Sequence, residues 1–319
     1  MEKIFIDHTT MQSLQKIDFE YSSLNQVTTY SVSGHKTSYC EDLLITVGRG
    51  NGGLYLYNAG NNSLEKRYNG IFAGLTKYND GYLALKQPNQ LYVLDVNLQL
   101  KSIRYIPDNE FGGLHDIKLS GDYVYIVIST QNKILALHSR TLEPEFEIVL
   151  SSSERDLHHI NDLFITDDSI LISMFSSSGG WKGKDPTLWD GAIVEFRRDG
   201  FIPKGIIIDN LTAPHSITLH NGKLVFCDSL NLNVSQFDII TKHKSVLAQF
   251  NGFTRGIYFD QNILAVGQCK MRHLQRMNQR YPNISLDGGI HFFDCDQRDG
   301  RFIKLPVSNP YAIVPYTIT

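Results

Sequence analysis

The segment "HDIKLSGDYVYIV", His115–Val127, contains the repeating unit that decides the fold. It begins with a polar and an acidic residue, continues as a short apolar run, turns at Gly121–Asp122 and returns as a second apolar run. Short runs rich in Ile, Leu, Val and Tyr, separated by Gly and Asp, are typical of antiparallel strands joined by tight turns. The segment therefore predicts a β-hairpin.

The same pattern recurs along the chain. Related segments are "AGLTKYNDGYLAL" (73–85), "NDLFITDDSILIS" (161–173), "HSITLHNGKLVFC" (215–227) and "RGIYFDQNILAVG" (255–267). Most starts lie 40 to 46 residues apart, and the one longer interval contains the loop "SSSGGWKGKDPTLWDG" (176–191). Repeats of roughly 40–50 residues with four strands each are typical of propeller blades.

The two ends of the chain supply the remaining blade. "NPYAIVPY" predicts an inner strand that begins at Tyr311, and strands predicted at 43–48, 53–58 and 64–68 complete its sheet. This closure removes free sheet edges. We therefore predict an all-β fold, a six-bladed β-propeller whose N- and C-terminal strands close one blade. An inner strand at "GHKTSY", from His35, would change the count or the closure.

The domain prediction follows from the same repeat. We expect a single β-propeller domain over residues 1–319, an irregular N-terminal segment over 1–30 and a long inter-strand loop over 176–191. Helical periodicity is almost absent, and the best candidate is a short helix over 270–278, "KMRHLQRMN".

Composition excludes several classes of partner. The net charge is −3, and no run of Lys and Arg marks a surface for nucleic acid. The first ten residues, "MEKIFIDHTT", lack the apolar core of a secretory signal, and no apolar run approaches the roughly 20 residues of a membrane span. The four cysteines are far apart, which disfavours a thiolate zinc site. We expect a cytoplasmic protein without a membrane or nucleic-acid partner.

The repeat gathers distant residues around one axis. In a propeller the innermost strand of each blade lines a central channel, and its first residues surround one mouth. Aligning the units predicts a ring of Ala73, His115, Asn161, His215, Arg255 and Tyr311. His158 and His159 lie just before Asn161, so they approach the same mouth.

Three histidines of this funnel are candidate metal ligands. His115, His159 and His215 would bind one divalent ion (zinc, iron, manganese or calcium) with an open position for substrate. The alternatives are a metal-free polar site, or histidines that cap backbone groups between blades. No glycine pattern of a nucleotide-binding loop is present, so we expect no nucleotide cofactor.

Other residues are candidates for substrate binding and proton transfer. The guanidinium of Arg255 suits a carboxylate or phosphate, and Tyr311 and His158 are candidate catalytic groups that move a proton. The candidate substrate-binding residues are Asn161, Arg255, Trp181 and Lys270. Strand alternation turns Asp116 and Asp162 away from the channel, where we expect them to bind backbone amides of neighbouring blades.

An ordered set of motifs carries a family resemblance. The segments are "LHDIKL" (114–119), "HHINDLFI" (158–165), "GGWK" (179–182), "APHSITLHNGKLVFCDS" (213–229), "GFTRGIYF" (252–259) and "LAVGQCKMR" (264–272). They resemble a bacterial propeller family of conserved hypothetical proteins of unknown function. The resemblance spans about Gly112–Arg272 and implies a propeller with a shared polar site, but no reaction. The chain departs from the family at Asp162, where Gly is expected, and at Cys269, where Ser is expected.

These observations favour an enzyme. We expect metal-assisted lyase, isomerase or hydrolase chemistry on a small anionic or peptide substrate, with Arg255 holding the anionic group. The alternative is a non-catalytic propeller module that binds a ligand or a protein. Neither the enzyme hypothesis nor the binding-module hypothesis predicts the oligomeric state.

Overall fold

The structure is a computed structural model, and it describes residues 1–5, 28–31, 41–110, 112–153, 155–185, 188–270 and 283–317. Six sheets form a ring in which each sheet follows its predecessor along the chain. The predicted six-bladed β-propeller is confirmed. In the described part of the chain, no helix has the length and apolar character needed to cross a membrane.

The first three blades each run from an inner to an outer strand. Blade 1 contains β6–β9, at Phe72–Tyr78, Gly81–Lys86, Gln90–Leu94 and Leu100–Tyr105. Blade 2 contains β10–β13, at Leu114–Ser120, Tyr123–Ile128, Lys133–His138 and Pro144–Val149. Blade 3 contains β14–β17, at Ile160–Ile165, Ser169–Met174, Gly191–Arg197 and Pro203–Leu211. The long loop predicted over 176–191 therefore connects β15 to β16.

The last three blades follow the same order. Blade 4 contains β18–β21, at Pro214–His220, Lys223–Asp228, Asn233–Asp238 and Lys244–Gln249. Blade 5 contains β22–β25, at Phe253–Asp260, Ile263–Cys269, Gly289–Asp294 and Asp299–Lys304. Blade 6 combines β26 with β3–β5, at Pro310–Pro315, Leu43–Val47, Gly53–Asn58 and Ser63–Asn69. Short 3-10 helices lie at Ser129–Gln131, Asp199–Phe201 and Ser229–Asn231.

Blade 6 closes the ring. Its inner strand β26 pairs antiparallel with β3, so Tyr311 lies on the innermost strand as predicted. The buried hydroxyl of Thr46 accepts the N–H of Ala312 at 2.9 Å and donates to the carbonyl oxygen of Ala73 in blade 1. One side chain therefore ties the C-terminal strand to an N-terminal strand and to the next blade.

Strands of the N-terminal region extend two outer edges. β1, Glu2–Phe5, pairs parallel with β13, and β2, Thr28–Ser31, pairs antiparallel with β5. The prediction of an irregular segment over 1–30 otherwise falls on residues 6–27, which lie outside the described residues. His35 and the predicted helix beyond Lys270 also lie outside them.

The core consists of apolar layers between neighbouring blades. The second strand of each blade is buried on both faces, as in β15, where all six residues from Ser169 to Met174 are buried. Outer strands such as β9 are mostly exposed. This explains why the sequences of the second strands are continuous apolar runs. A strand that is covered on both faces has no solvent-facing side, so polar residues do not alternate with apolar ones.

A β-bulge in each inner strand directs the ring residues inward. The pairing register of β10 shifts between Leu114 and Ile117, which places His115 and Asp116 at the bulge. Inner strands β6, β14, β18, β22 and β26 shift at the equivalent place. A bulge opposes two residues to one and re-aims their side chains. The repeat therefore presents the ring residues of four blades, Ala73, His115, Arg255 and Tyr311, to the channel.

The second bulge residue links neighbouring blades. Asp116 Oδ2 accepts the backbone N–H of Leu163 in blade 3 at 3.0 Å. Asp162 accepts the backbone N–H of Ser216 in blade 4, and the Ser216 hydroxyl accepts the N–H of Gly256 in blade 5 at 2.8 Å. These contacts agree with the inter-blade role predicted for the two aspartates.

Ionisation of the buried Asp162 carboxyl group lowers the stability of the fold. Burial, reinforced by the nearby Asp116 carboxylate, raises the pKa of Asp162 to about 7, although the Ser216 N–H, Lys118 and Arg255 act in the opposite direction. An unfolded aspartate titrates near pH 3.9. Between these two values the folded protein retains a proton that the unfolded chain releases, so stability falls as pH rises from about 4 to about 7.

Replacing Asp162 by Asn removes this cost while keeping an oxygen for the Ser216 N–H. We expect Asp162→Asn to become more stable relative to wild type as the pH rises from 4 to 7. The difference in the free energy of unfolding, variant minus wild type, should increase over this range and level off above pH 8. Urea unfolding across this range measures the difference, with Asp167→Asn in the exposed β14–β15 turn as the matched control. A pH-independent difference, or one that declines toward neutral pH, would contradict the assignment.

Candidate functional site

A cavity of about 500 Å³ opens at the mouth where the inner strands begin. Its wall includes His115, Arg255 and Tyr311 from three inner strands, and Phe175 and Trp181 from the β15–β16 loop. A volume of this size suits a small organic molecule.

The floor of the cavity is a closed circuit of side chains. The Tyr311 hydroxyl makes a short hydrogen bond with Nδ1 of His115, whose ring centre lies 4.8 Å from that of His159. The His159 ring lies 4.4 Å from Phe175, and Phe175 lies 5.3 Å from His215. The circuit contains His115, His215, Arg255 and Tyr311 of the predicted ring, with His159 and Phe175 in place of Asn161 and Ala73.

Arg255 completes this circuit. Its Nη2 lies 2.5 Å from Nε2 of His215, and its guanidinium carbon lies 3.7 Å from the centre of the Tyr311 ring. Three blades therefore hold one guanidinium through a hydrogen bond and a cation–π contact.

His215 is a neutral acceptor for this arginine. Burial, followed by the positive charge of Arg255, holds the pKa of His215 well below its ordinary value. Its Nδ1 lies 2.8 Å from the carbonyl oxygen of Ala213 and 2.8 Å from the Ser229 hydroxyl, which itself donates to the carbonyl oxygen of Thr254. Nδ1 therefore carries the hydrogen, and Nε2 accepts from the guanidinium.

Within the described part of the chain, Arg255 makes no ion pair and no hydrogen bond with a carboxylate, and the Asp162 carboxylate acts on it only through the electrostatic field. Arg255 is only 5% exposed, and none of its partners there is a carboxylate. Its Nε is buried without a hydrogen-bond partner. A buried cation without a counter-ion is energetically costly, and this one lies at the wall of a cavity.

Asp156 organises the loop side of the cavity. Its carboxylate accepts the backbone N–H of His159 at 3.0 Å and contacts His159 Nδ1 at 2.7 Å. Burial lowers the pKa of His159, and Asp156 partly opposes this shift. Trp181 donates its indole N–H to the carbonyl oxygen of Asp156, and its ring lies 4.4 Å from His159.

The base of the β15–β16 loop is fixed by Asp190. Its carboxylate accepts the Ser176 hydroxyl at 2.6 Å, the Ser177 hydroxyl at 3.0 Å and the Ser178 N–H at 2.8 Å. Burial raises the pKa of Asp190, but these hydrogen bonds together hold it well below its ordinary value. The charged carboxylate therefore holds the loop, with its two tryptophans, at the cavity wall.

The structure brings most predicted site residues to the cavity. Those that line it are His115, His159, Trp181, Arg255, Lys270 and Tyr311. Three others lie outside its wall: His215 contacts Arg255, His158 Nδ1 contacts the carbonyl oxygen of Ser176 at 2.9 Å, and Asn161 donates to the carbonyl oxygen of His159 at 2.9 Å. Neither a proton-transfer role for His158 nor a substrate contact for Asn161 is supported by this geometry.

The three-histidine metal centre is not supported either. Among the described residues, no group of three or more His, Cys, Asp or Glu side chains could hold a metal ion. The physical reason is the guanidinium of Arg255, which occupies the Nε2 side of His215 and would repel a divalent cation there. The rings of His115 and His159 are neighbours, but Nε2 of His215 accepts a hydrogen bond from Arg255 instead of binding a metal ion.

Several cavity residues that the repeat did not point to share one position. Gly48, Gln87, Ser129 and Phe175 each follow the second strand of a blade and line the cavity, as the predicted Lys270 does. The second strand runs antiparallel to the inner strand, so its end meets the start of the inner strand at the same mouth. Arg49 and Asn309 also line the wall.

A second cavity, of about 340 Å³, lies further along the inner strands toward the opposite face. Asp116, Lys118 and Asp162 line it. His115 and Tyr311 line both cavities, so their hydrogen-bonded pair separates the two parts of the channel.

Comparisons with known proteins agree with the fold. A crystal structure of a nidogen/laminin complex is similar, with a TM-score of 0.62 and 12% sequence identity over 86% of this chain and 97% of that chain. At this identity the likeness concerns the fold alone. No curated protein matches the sequence.

One protein-family model matches most of the sequence. The model described as a domain of unknown function, DUF4915, matches residues 63–297, about three quarters of the chain. This match agrees with the resemblance to an uncharacterised propeller family, whose individual motifs stay a prediction. The chain belongs to the DUF4915 family.

Proposed function

We propose that the cavity binds a small organic anion whose carboxylate pairs with Arg255. The observation that carries this proposal is the buried guanidinium at the cavity wall, which has no carboxylate partner among the described residues. A ligand anion would supply the missing counter-charge and accept hydrogen bonds in the forked geometry that arginine favours.

The charge balance of the wall favours an anion. Besides Arg255, the basic residues Arg49 and Lys270 lie at exposed positions of the cavity lining. The acidic residue of the lining, Asp156, is buried and holds His159. An anion therefore meets several positive charges, while the one carboxylate is engaged elsewhere.

The rest of the wall favours an apolar, planar body for the ligand. Phe175 and Trp189 stack with ring centres 5.0 Å apart, and Trp181 meets both rings edge-on. All three line the cavity. Aromatic walls with a few placed polar groups are typical of small-molecule sites, and they suit an aromatic or unsaturated carboxylate better than an extended peptide.

Proton-transfer catalysis is the second candidate function. The hydroxyl of Tyr311 is hydrogen-bonded to Nδ1 of His115 directly beside Arg255. An acid–base pair next to an anion-binding group is the arrangement that an isomerase or lyase uses to move a proton on a bound carboxylate. Because His215 is engaged by Arg255, we propose this chemistry without a metal ion. Without catalysis the same cavity is the ligand pocket of a binding module, as in many propellers.

The binding proposal predicts a charge-dependent fluorescence response. The chain's two tryptophans both line the cavity, so their emission reports its contents. We expect saturable changes with benzoate, phenylacetate or phenylpyruvate, and weaker binding of neutral benzamide. Arg255→Met should weaken carboxylate binding by about 10-fold or more, because a hydrogen bond to a charged group contributes roughly 1.5–3 kcal/mol.

Arg67→Met is the matched control, because Arg67 does not line the cavity. Its Nη1 lies 3.2 Å from Oε2 of Glu65, with which it forms an ion pair. Dialysis against EDTA should leave the affinity unchanged. Equal affinities for carboxylates in wild type and Arg255→Met, with both proteins folded by circular dichroism, would refute the proposed anchor. So would a panel in which no carboxylate gives a saturable response.

The catalytic candidate predicts hydrogen exchange on a bound oxo acid. In D₂O, wild-type protein should accelerate exchange of the carbon-bound hydrogens beside the keto group of phenylpyruvate, followed by NMR. Tyr311→Phe should abolish the acceleration while changing the dissociation constant by no more than about 3-fold, because it removes the hydroxyl but keeps the ring beneath Arg255. Exchange no faster than in buffer would leave the cavity a binding site without this chemistry.

A further inference from the structure

Asn309 stands out among the polar residues of the cavity wall. It precedes β26, is 4% exposed and lines the cavity. Its backbone carbonyl oxygen accepts the N–H of Gly48 at 3.0 Å, which fixes its main chain. Its carboxamide, in contrast, makes no hydrogen bond to any residue of the described ranges, and Oδ1 is fully buried.

Three other neutral polar side chains of the wall are occupied by hydrogen bonds within the fold. Gln87 donates to the carbonyl oxygen of Leu114 at 2.5 Å and accepts the Gly113 N–H at 3.0 Å. Ser129 and Thr130 donate to backbone carbonyl oxygens at 3.2 and 2.6 Å. These side chains cap the backbone, so they have a structural reason to be polar. Asn309 has none within the described residues.

The chain makes room for this carboxamide. A Cβ atom at Gly48 would lie 2.6 Å from Asn309 Nδ2, a separation that real Cβ contacts do not show. The same Cβ would lie 3.6 Å from the Tyr311 ring. Glycine at this position therefore allows the Asn309 side chain to lie beside Tyr311, on whose ring the Arg255 guanidinium stacks.

Two incompletely satisfied groups thus lie around one tyrosine. Arg255 offers a positive charge, and the Asn309 carboxamide offers both a donor and an acceptor. Buried polar groups are almost always hydrogen-bonded, so a group at a cavity wall without a partner among the described residues is a candidate to bind a ligand. Both groups line the same cavity and neighbour the same tyrosine, which places them where one small molecule could contact both.

We propose that Asn309 recognises a second, uncharged polar group of the ligand, so that the site takes an anion that also carries a hydroxyl or amide group. This inference rests on the proposed anion-binding function, which it makes more specific. Arg255 selects for the negative charge, and Asn309 selects among anions of similar shape.

The test compares benzoate with its 3- and 4-hydroxy and 3- and 4-carbamoyl derivatives, titrated against the intact 319-residue chain by tryptophan emission. We expect at least one derivative to bind wild type about 3- to 10-fold more tightly than benzoate, the effect of one added neutral hydrogen bond. Asn309→Leu, of similar volume, should abolish this preference while leaving the affinity for benzoate within about 2-fold.

Two further variants keep the result interpretable. Gly48→Ala should reduce the preference without touching Asn309 chemically, since it displaces the carboxamide. Asn262→Leu is the matched control, because Asn262 bonds Asp296 away from the cavity. A preference that survives Asn309→Leu, or derivatives that bind wild type no better than benzoate, would overturn the role of Asn309 alone. Arg255→Met, in contrast, should lose the binding of benzoate itself. If wild type does not bind benzoate, both proposals are overturned.

Discussion

The hydrogen bond between His215 Nε2 and Arg255 Nη2 is the contact on which the site depends. It forms only because burial and the adjacent guanidinium keep the imidazole neutral, with its hydrogen fixed on Nδ1 by Ala213. The same bond joins blades 4 and 5 and holds the guanidinium against the Tyr311 ring of blade 6. A protonated His215 could not accept this bond, so the electrostatics of one ring nitrogen set the position of the cavity's principal charge.

The propeller supplies what this contact needs. Each inner strand bends at a bulge, which turns one side chain toward the axis and the next toward the neighbouring blade. The inward residues build the cavity, while Asp116, Asp162 and Ser216 bind the adjoining strand. The ring is closed through Thr46, and so residues separated by most of the chain meet around a small volume. Stability and recognition therefore arise from adjacent positions of the same repeat.

The fold was largely accessible from the sequence, because the hairpin pattern repeats and each repeat is bounded by Gly, Asp or Asn. The convergence of His115, Arg255 and Tyr311 followed directly from that alignment. The chemistry was less accessible. Whether His215 binds a metal ion or an arginine depends on a side-chain contact between two blades, which spacing does not encode. Phe175 and Gln87 follow second strands rather than begin inner strands, and only the antiparallel pairing brings them to the mouth.

The most direct test of the account is a crystal structure of the protein with 4-bromobenzoate, whose bromine locates the ligand by anomalous scattering. The account predicts the carboxylate within about 3 Å of the Arg255 guanidinium, the distance of a charge-assisted hydrogen bond, with the ring against the aromatic wall. An Asp or Glu of the chain paired with Arg255, or bromine density only outside the cavity, would contradict it.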